Sequence, residues 1–191
     1  MAGIVAYGAY VPRLRLSRTA AVEANSWFNA GLKGLAKGER SMCNWDEDSL
    51  TMAVEASRDC LAGEVPADLG SITLASTTLP FEDRQNAGVL ATALNVGEDV
   101  LTGDVSSSQR AGTTGLAAGL GAVDTNGGTA LFVAADKRRT KSGSTQELMF
   151  GDGAAALLLG SDNLIAEYVG GHQLATDFVD HYRGANEEFD Y

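Results

Sequence analysis

Three consecutive serines, Ser106, Ser107 and Ser108, stand before Gln109 and Arg110, between an apolar-leaning run (Leu101 to Val105) and a long Gly/Ala-rich stretch. This is the pattern of a strand that delivers a polar turn to a helix N-terminus. The first amides of a helix lack partners inside it, so serines there can cap them, and the same amides can hold an oxyanion or a carbonyl oxygen. Beyond Gln109 the small residues Ala111, Gly112, Gly115, Ala118, Gly119 and Ala122 alternate with Leu116, Leu120 and Val123. A glycine costs a helix interior about 1 kcal/mol relative to alanine, so several together imply close backbone packing. With almost no charge after Arg110, the helix is expected to be buried in the middle of a layered domain. An ordinary core helix after a capped turn fits the same residues, and both readings stand at this point.

Other reactive side chains are sparse. Cys43 and Cys60 are far apart and join no histidine cluster, so no metal site is expected. Cys60 falls on the apolar side of a helical pattern and reads as a buried small hydrophobe. Cys43, in the preceding loop, is freer to react but has no evident base beside it. Lys137, Arg138, Arg139 and Lys141 form a basic cluster after the strand pattern TALFVAAD. They suit either a phosphate-bearing ligand or a solvated loop. His172 and His181 lie in a polar tail, and Asp152, between two glycines, is expected to shape a turn.

The elements that must position these groups are legible from periodicity. The chain has 191 residues, 45% of them hydrophobic, enough for one sizeable core. Gly3 to Val11 reads as a strand closed by Pro12; Ser17 caps a helix towards Trp27. Phe28 to Arg40, with three glycines and a basic cast, reads as a mobile surface excursion. NWDEDSLTMAVEASRDCLAGE carries a helical stripe of Leu50, Ala53, Val54 and Leu61, SITLAST a short buried strand, and RQNAGVLATALNV another helix. After the central strand and helix, TALFVAAD, LMFGDGAAALLLG and NLIAEYVGG supply three more strands, the last two antiparallel additions. The expected fold is α/β, a mixed five-stranded sheet with helices on its faces in the order β-α-β-α-β-α-β-β. Residues 1–168 are expected to form one domain and 169–191 a tail.

The charge balance narrows the partners. With 25 acidic and 14 basic residues the formal net charge is −11, which argues against nucleic acid or an anionic membrane as a general partner. The N-terminus lacks the basic start and apolar run of a signal peptide, and no stretch is apolar for long enough to span a bilayer, so a cytoplasmic protein is expected.

The serine turn with its Ala/Gly helix, the strand FVAAD, the run FGDGAAALLLG and the helix DEDSLTMAVEA together resemble the N-terminal half of the thiolase superfamily, most closely its hydroxymethylglutaryl-CoA synthase branch. FGDGAAA is the most specific piece. The resemblance covers nearly the whole chain, and the tail resembles the passage into a second half. It implies acyl-CoA carbon–carbon bond formation or cleavage, with a coenzyme A thioester as substrate and no bound cofactor. It also implies a homodimer or heterodimer built across the 101–108 strand, and a zinc-ribbon/OB-fold protein as a further partner. The family's nucleophilic cysteine falls on Gln109, with Ser108 just before it, and its glutamate falls on Thr77, with Glu82 nearby. Glutamine is no nucleophile, and a serine needs an adjacent base. Arg110, Lys137 and Arg138 are the expected substrate contacts. Two functions compete: an acyltransferase or lyase with an altered nucleophile site, and a catalytically silent support subunit that binds a partner chain.

Overall fold

The computed structural model describes residues 1–177, 182–184 and 186–190, and the chain divides into two compact units. Unit 1 comprises residues 1–11, 45–136 and 153–169; unit 2 comprises 12–44, 137–152 and 170–191.

Unit 1 is built on one mixed sheet. Its strands are β1 (Gly3–Tyr10), β4 (Leu69–Ala75), β5 (Leu101–Val105), β6 (Thr129–Asp136), β7 (Gly153–Gly160) and β8 (Ala166–Glu167). Their spatial order is β5-β4-β6-β7-β1-β8. β4 pairs parallel with β5 and β6, whereas β7 is antiparallel to both β6 and β1. The carboxyl ends of β1, β4, β5 and β6 therefore share one end of the sheet. Six strands replace the expected five: the closing pattern yields only a two-residue β8 on the far side of β1.

Helices α2 (Ser49–Leu61), α3 (Asn86–Ala93) and α4 (Ala111–Asn126) complete the unit. Asp48 caps α2 in a reciprocal pair with Thr51, satisfying two donors at the helix start. α2 packs on β1, β6 and β7. Contact is close at Gly8, where an added Cβ would lie 2.2 Å from the Cys60 nitrogen and 2.5 Å from the Ala56 oxygen. α4 covers the opposite face, where Ala111, Leu120 and Val123 pack with Ala130, Phe132 and Leu159.

The glycines of α4 separate by role. A Cβ on Gly115 would come within 2.9 Å of Phe132, and one on Gly119 within 2.8 Å of Leu159, so these two admit the sheet. Gly112 and Gly121 face open space. Only one face of α4 is buried, since Thr114, Ala118, Gly121 and Thr125 are exposed. The expectation of a wholly buried helix is corrected to this extent: a face without charge is not a covered face.

Unit 2 replaces the expected loose excursion with ordered structure. β2 (Leu14–Ser17) and β3 (Glu39–Met42) form an antiparallel ribbon, and Ser17 caps α1 (Arg18–Asn25) as the sequence predicts. A 3-10 helix, Ala30–Leu35, and α5 (Thr145–Met149) follow, with Val22, Leu32 and Leu148 as a small core. Residues 28–40 give no periodic signal because a short apolar set, Leu32 with the partly buried Leu35 and Ala36, anchors them.

These packing differences predict opposite outcomes for two substitutions. Gly8→Ala should destabilise the protein by about 1–3 kcal/mol, the cost of overpacking against backbone, whereas Gly121→Ala should add up to about 1 kcal/mol of helix propensity. Urea titration of both variants measures this, and equal effects would contradict the packing described.

Candidate functional site

The carboxyl ends of β4, β5 and β6 each release a polar segment. Ala75 on β4 lies opposite Val105 on β5 and Ala134 on β6. The residues two places further on are Thr77, Ser107 and Asp136, so register alone brings them to one end of the sheet. Ser76 N–H donates to the Val105 carbonyl at 3.0 Å and extends the pairing into the turn.

Asp136 organises that turn. Its Oδ1 accepts from Thr77 N–H at 2.7 Å, Thr77 Oγ1 at 2.9 Å, Thr78 Oγ1 at 3.0 Å and Ser76 Oγ at 3.1 Å. Ser76 Oγ in turn accepts from Thr78 N–H at 3.0 Å, and Ser49 at the start of α2 donates its hydroxyl to the Thr78 carbonyl at 2.7 Å. Bonds to an ionised acceptor are stronger than neutral ones, so this carboxylate fixes Thr77 firmly.

Asp104 does the same for α3. Its carboxylate accepts from the amides of Asn86 and Ala87, each at 2.7 Å, and from Asn86 Nδ2 at 3.0 Å. The strand that carries the serine turn thus supplies the cap α3 lacks, because Gln85 at its N-cap makes no side-chain cap bond.

In the serine turn, Ser107 adopts φ 64°, a left-handed conformation costly for a non-glycine residue. Ser108 Oγ accepts from Arg110 N–H at 3.1 Å, and the Ser108 carbonyl accepts from Ala111 N–H at 2.9 Å. Two amides expected to face a ligand are therefore engaged within the turn. Residues 106–110 are all exposed, and the side chain at position 109 is a neutral amide. Among the described residues, no imidazole or carboxylate receives a hydrogen bond from Ser108.

The structure brings Thr77, Ser108, Gln109 and Arg110 to the same end of the unit 1 sheet. Glu82 follows the Thr77 turn and is exposed. Lys137 and Arg138 belong to unit 2, as do Arg139, Lys141 and the exposed His172. Lys137 donates to the Asn44 carbonyl at 3.3 Å, and Arg138 pairs with Asp190 at 2.7 Å. His181 lies outside the described residues.

The cysteines supply no alternative nucleophile. Cys60 is buried, and burial holds its thiol above the ordinary value; the charge of Asp59 pushes the same way, against a backbone hydrogen bond at Leu158. Its reactive thiolate is thus disfavoured at neutral pH. Cys43, expected to be freer, is also buried, and its N–H donates to Asp152 Oδ2 at 2.8 Å. Asp152 also takes the Ser41 hydroxyl on its carbonyl at 2.6 Å, so it shapes its turn by tying the Cys43 loop down.

Sequence reasoning missed Asp136, Asp104 and Ser49. The first two are the polar residues at or near the ends of the strand patterns TALFVAAD and LTGDV, the only local signal available. Among the described residues no group of three or more metal-binding side chains occurs, and no helix is long and apolar enough to cross a membrane.

No protein-family model matches the chain. It is 33% identical over 187 residues to hydroxymethylglutaryl-CoA synthase of Methanocaldococcus jannaschii, covering 96% of this chain and 54% of that protein. It is 33% identical over 197 residues to hydroxymethylglutaryl-CoA synthase of Methanobrevibacter smithii, covering 99% and 56%. The chain thus spans about half the length of the curated relatives it matches. Among solved structures, MvaS in complex with 3-hydroxy-3-methylglutaryl coenzyme A superimposes with a TM-score of 0.85 at 22% identity. That match covers the whole of this chain and 47% of the other, a likeness of fold.

The Asp104 contacts predict that Asp104→Ala will lower stability by about 2 kcal/mol, the scale of bonds to a charged acceptor, with α3 the first element to lose amide-exchange protection. Uniform loss of protection across the sheet, with α3 no worse than the rest, would contradict the role given to this carboxylate.

Proposed function

We propose that the chain, which is similar to hydroxymethylglutaryl-CoA synthases over about half their length, is a thiolase-superfamily protein that works as a ligand-facing but non-acylating part of an acyl-CoA carbon–carbon bond-forming or bond-cleaving assembly. The observation that carries this reading is Gln109. It stands exposed just ahead of α4, in a turn strained at Ser107, where the family resemblance places the nucleophilic cysteine. An acyl-enzyme route needs a nucleophile, a base and donors for the developing oxyanion. A carboxamide provides no nucleophile. Ser108 is the nearest hydroxyl, but its oxygen serves as acceptor for Arg110 N–H, and no base takes its proton among the described residues.

Thr77 bears on the same reading. At the place where the resemblance puts a glutamate, this chain holds a hydroxyl that donates to Asp136. That leaves the side chain anchored and without charge, unsuited to taking a proton from substrate. Arg110 is the proposed contact for an anionic part of a coenzyme A thioester. The catalytic groups that complete the chemistry would come from the rest of the assembly.

Assembly through the β5 edge is part of the proposal. β5 ends the sheet, and Leu101 on it is 76% exposed. An open edge with an apolar side chain favours pairing with another strand. A homodimer or a related partner chain is proposed there, and a zinc-ribbon/OB-fold protein as an additional partner. A cytoplasmic setting accords with two free cysteines and an acidic chain.

Mass spectrometry tests both parts on one preparation. After incubation with acetyl-CoA or acetoacetyl-CoA, the 191-residue chain should show no covalent acyl increment, and its native spectrum should show a dimer. A stable increment mapped to Ser108 would overturn the non-acylating reading, and a monomer at high concentration would overturn the edge pairing.

A further inference from the structure

The outer edge of β5 is engaged at one position by the chain's own side chain. Ser76 N–H donates to the Val105 carbonyl, so Val105 turns its backbone groups toward β4. The backbone groups of successive strand residues point to opposite sides, so those of Leu101 and Gly103 also face β4. Those of Thr102 and Asp104 face outward from the end of the sheet.

Gln85 reaches this outward row. Its Nε2 donates to the Thr102 carbonyl at 2.8 Å, and its Oε1 accepts from the Thr102 hydroxyl at 2.5 Å. The carbonyl bond is the one that the N–H of an incoming strand would make. Three features hold the amide there. Asp104 binds the Asn86 and Ala87 amides, which fixes the start of α3 beside β5. Gln85 stands at the N-cap of α3 yet makes no cap bond, so the helix makes no use of its side chain. An added Cβ on Gly88 would lie 3.2 Å from Gln85 Oε1, so the glycine leaves room for the amide. Gln85 is exposed, and neutral hydrogen bonds in water are individually weak, so the pair of bonds is exchangeable.

We infer that Gln85 is an autoinhibitory clasp on the β5 edge: it occupies the Thr102 carbonyl in the separate chain and swings away when β5 of a second copy pairs there. Sheets guard exposed edges against indiscriminate pairing, and two weak bonds guard this one without sealing it. A backbone N–H of the added strand takes the place of the amide. This rests on the proposed assembly through β5 and adds to it the group that sets how readily the edge pairs.

Gln85→Ala removes the clasp without removing a cap, so α3 should stay folded. Sedimentation equilibrium should show it self-associating at least about tenfold more tightly than the unmodified chain, the scale of one competing hydrogen bond released. Thr102→Val, which keeps the branched shape and loses the hydroxyl, should shift association the same way. On self-association of Gln85→Ala, the outward amides of Thr102 and Asp104 should gain exchange protection while β6 is unchanged. A monomeric unmodified chain beside a dimeric Gln85→Ala would remove the dimer proposed for the unmodified chain and support the clasp. Equal or weaker association of Gln85→Ala, whether both proteins are dimeric or both monomeric, would overturn the clasp, as would tighter association without protection at Thr102 and Asp104.

Discussion

A single carboxylate oxygen, Asp136 Oδ1, decides what the candidate site can present. Four donors from Ser76, Thr77 and Thr78 converge on it, so the turn after β4 follows the end of β6 and not its own local preferences. The parallel register of β4 with both neighbours makes this possible, because Thr77 and Asp136 each lie two residues beyond a paired position. The serine turn reaches the same end of the sheet through β5. The grouping of Thr77 with Ser108 and Gln109 is thus a consequence of strand order, held by one buried-side anchor and by the Ser76 to Val105 bond.

Two aspartates at strand ends divide the labour. Asp136 holds a turn, and Asp104 holds a helix by serving as a cap delivered from the neighbouring strand. Both place a negative charge against backbone amides, where it is stabilised. α4 is set by a different device, the missing Cβ atoms of Gly115 and Gly119, which let its backbone approach Phe132 and Leu159. Polar anchors fix the site's turns, and close packing fixes the helix behind them.

Much of this was legible in the residues. Alternation and apolar runs marked β1, β4, β5, β6 and β7, and the cap at Ser17 marked α1. The closing pattern NLIAEYVGG marked β8 as well, but at much greater length: only two residues pair, and they do so with β1. The β2–β3 ribbon escaped notice because its partners are separated by a stretch without periodicity. Gln109 and Thr77 are proposed from family resemblance, which assigns residues by position in a motif. Asp136 was missed because its partners are 58 to 60 positions away, and only sheet register makes them neighbours. The basic cluster was seen, but not that Asp190, 52 positions from Arg138, already answers it.

Chemistry meets restraint at one end of the sheet: a neutral glutamine stands where the family resemblance puts an acyl acceptor, and the Thr77 hydroxyl at that end is committed to a carboxylate. The central structural claim is that Asp136 holds the Thr77 turn in place. Amide hydrogen exchange at Thr77, compared between the unmodified chain and Asp136→Asn, tests that claim most directly. The account predicts strong protection of the Thr77 amide in the unmodified chain and at least about tenfold faster exchange in the variant, the scale of one bond to a charged acceptor, with α2 protection retained. Equal exchange at Thr77 in both proteins would contradict it.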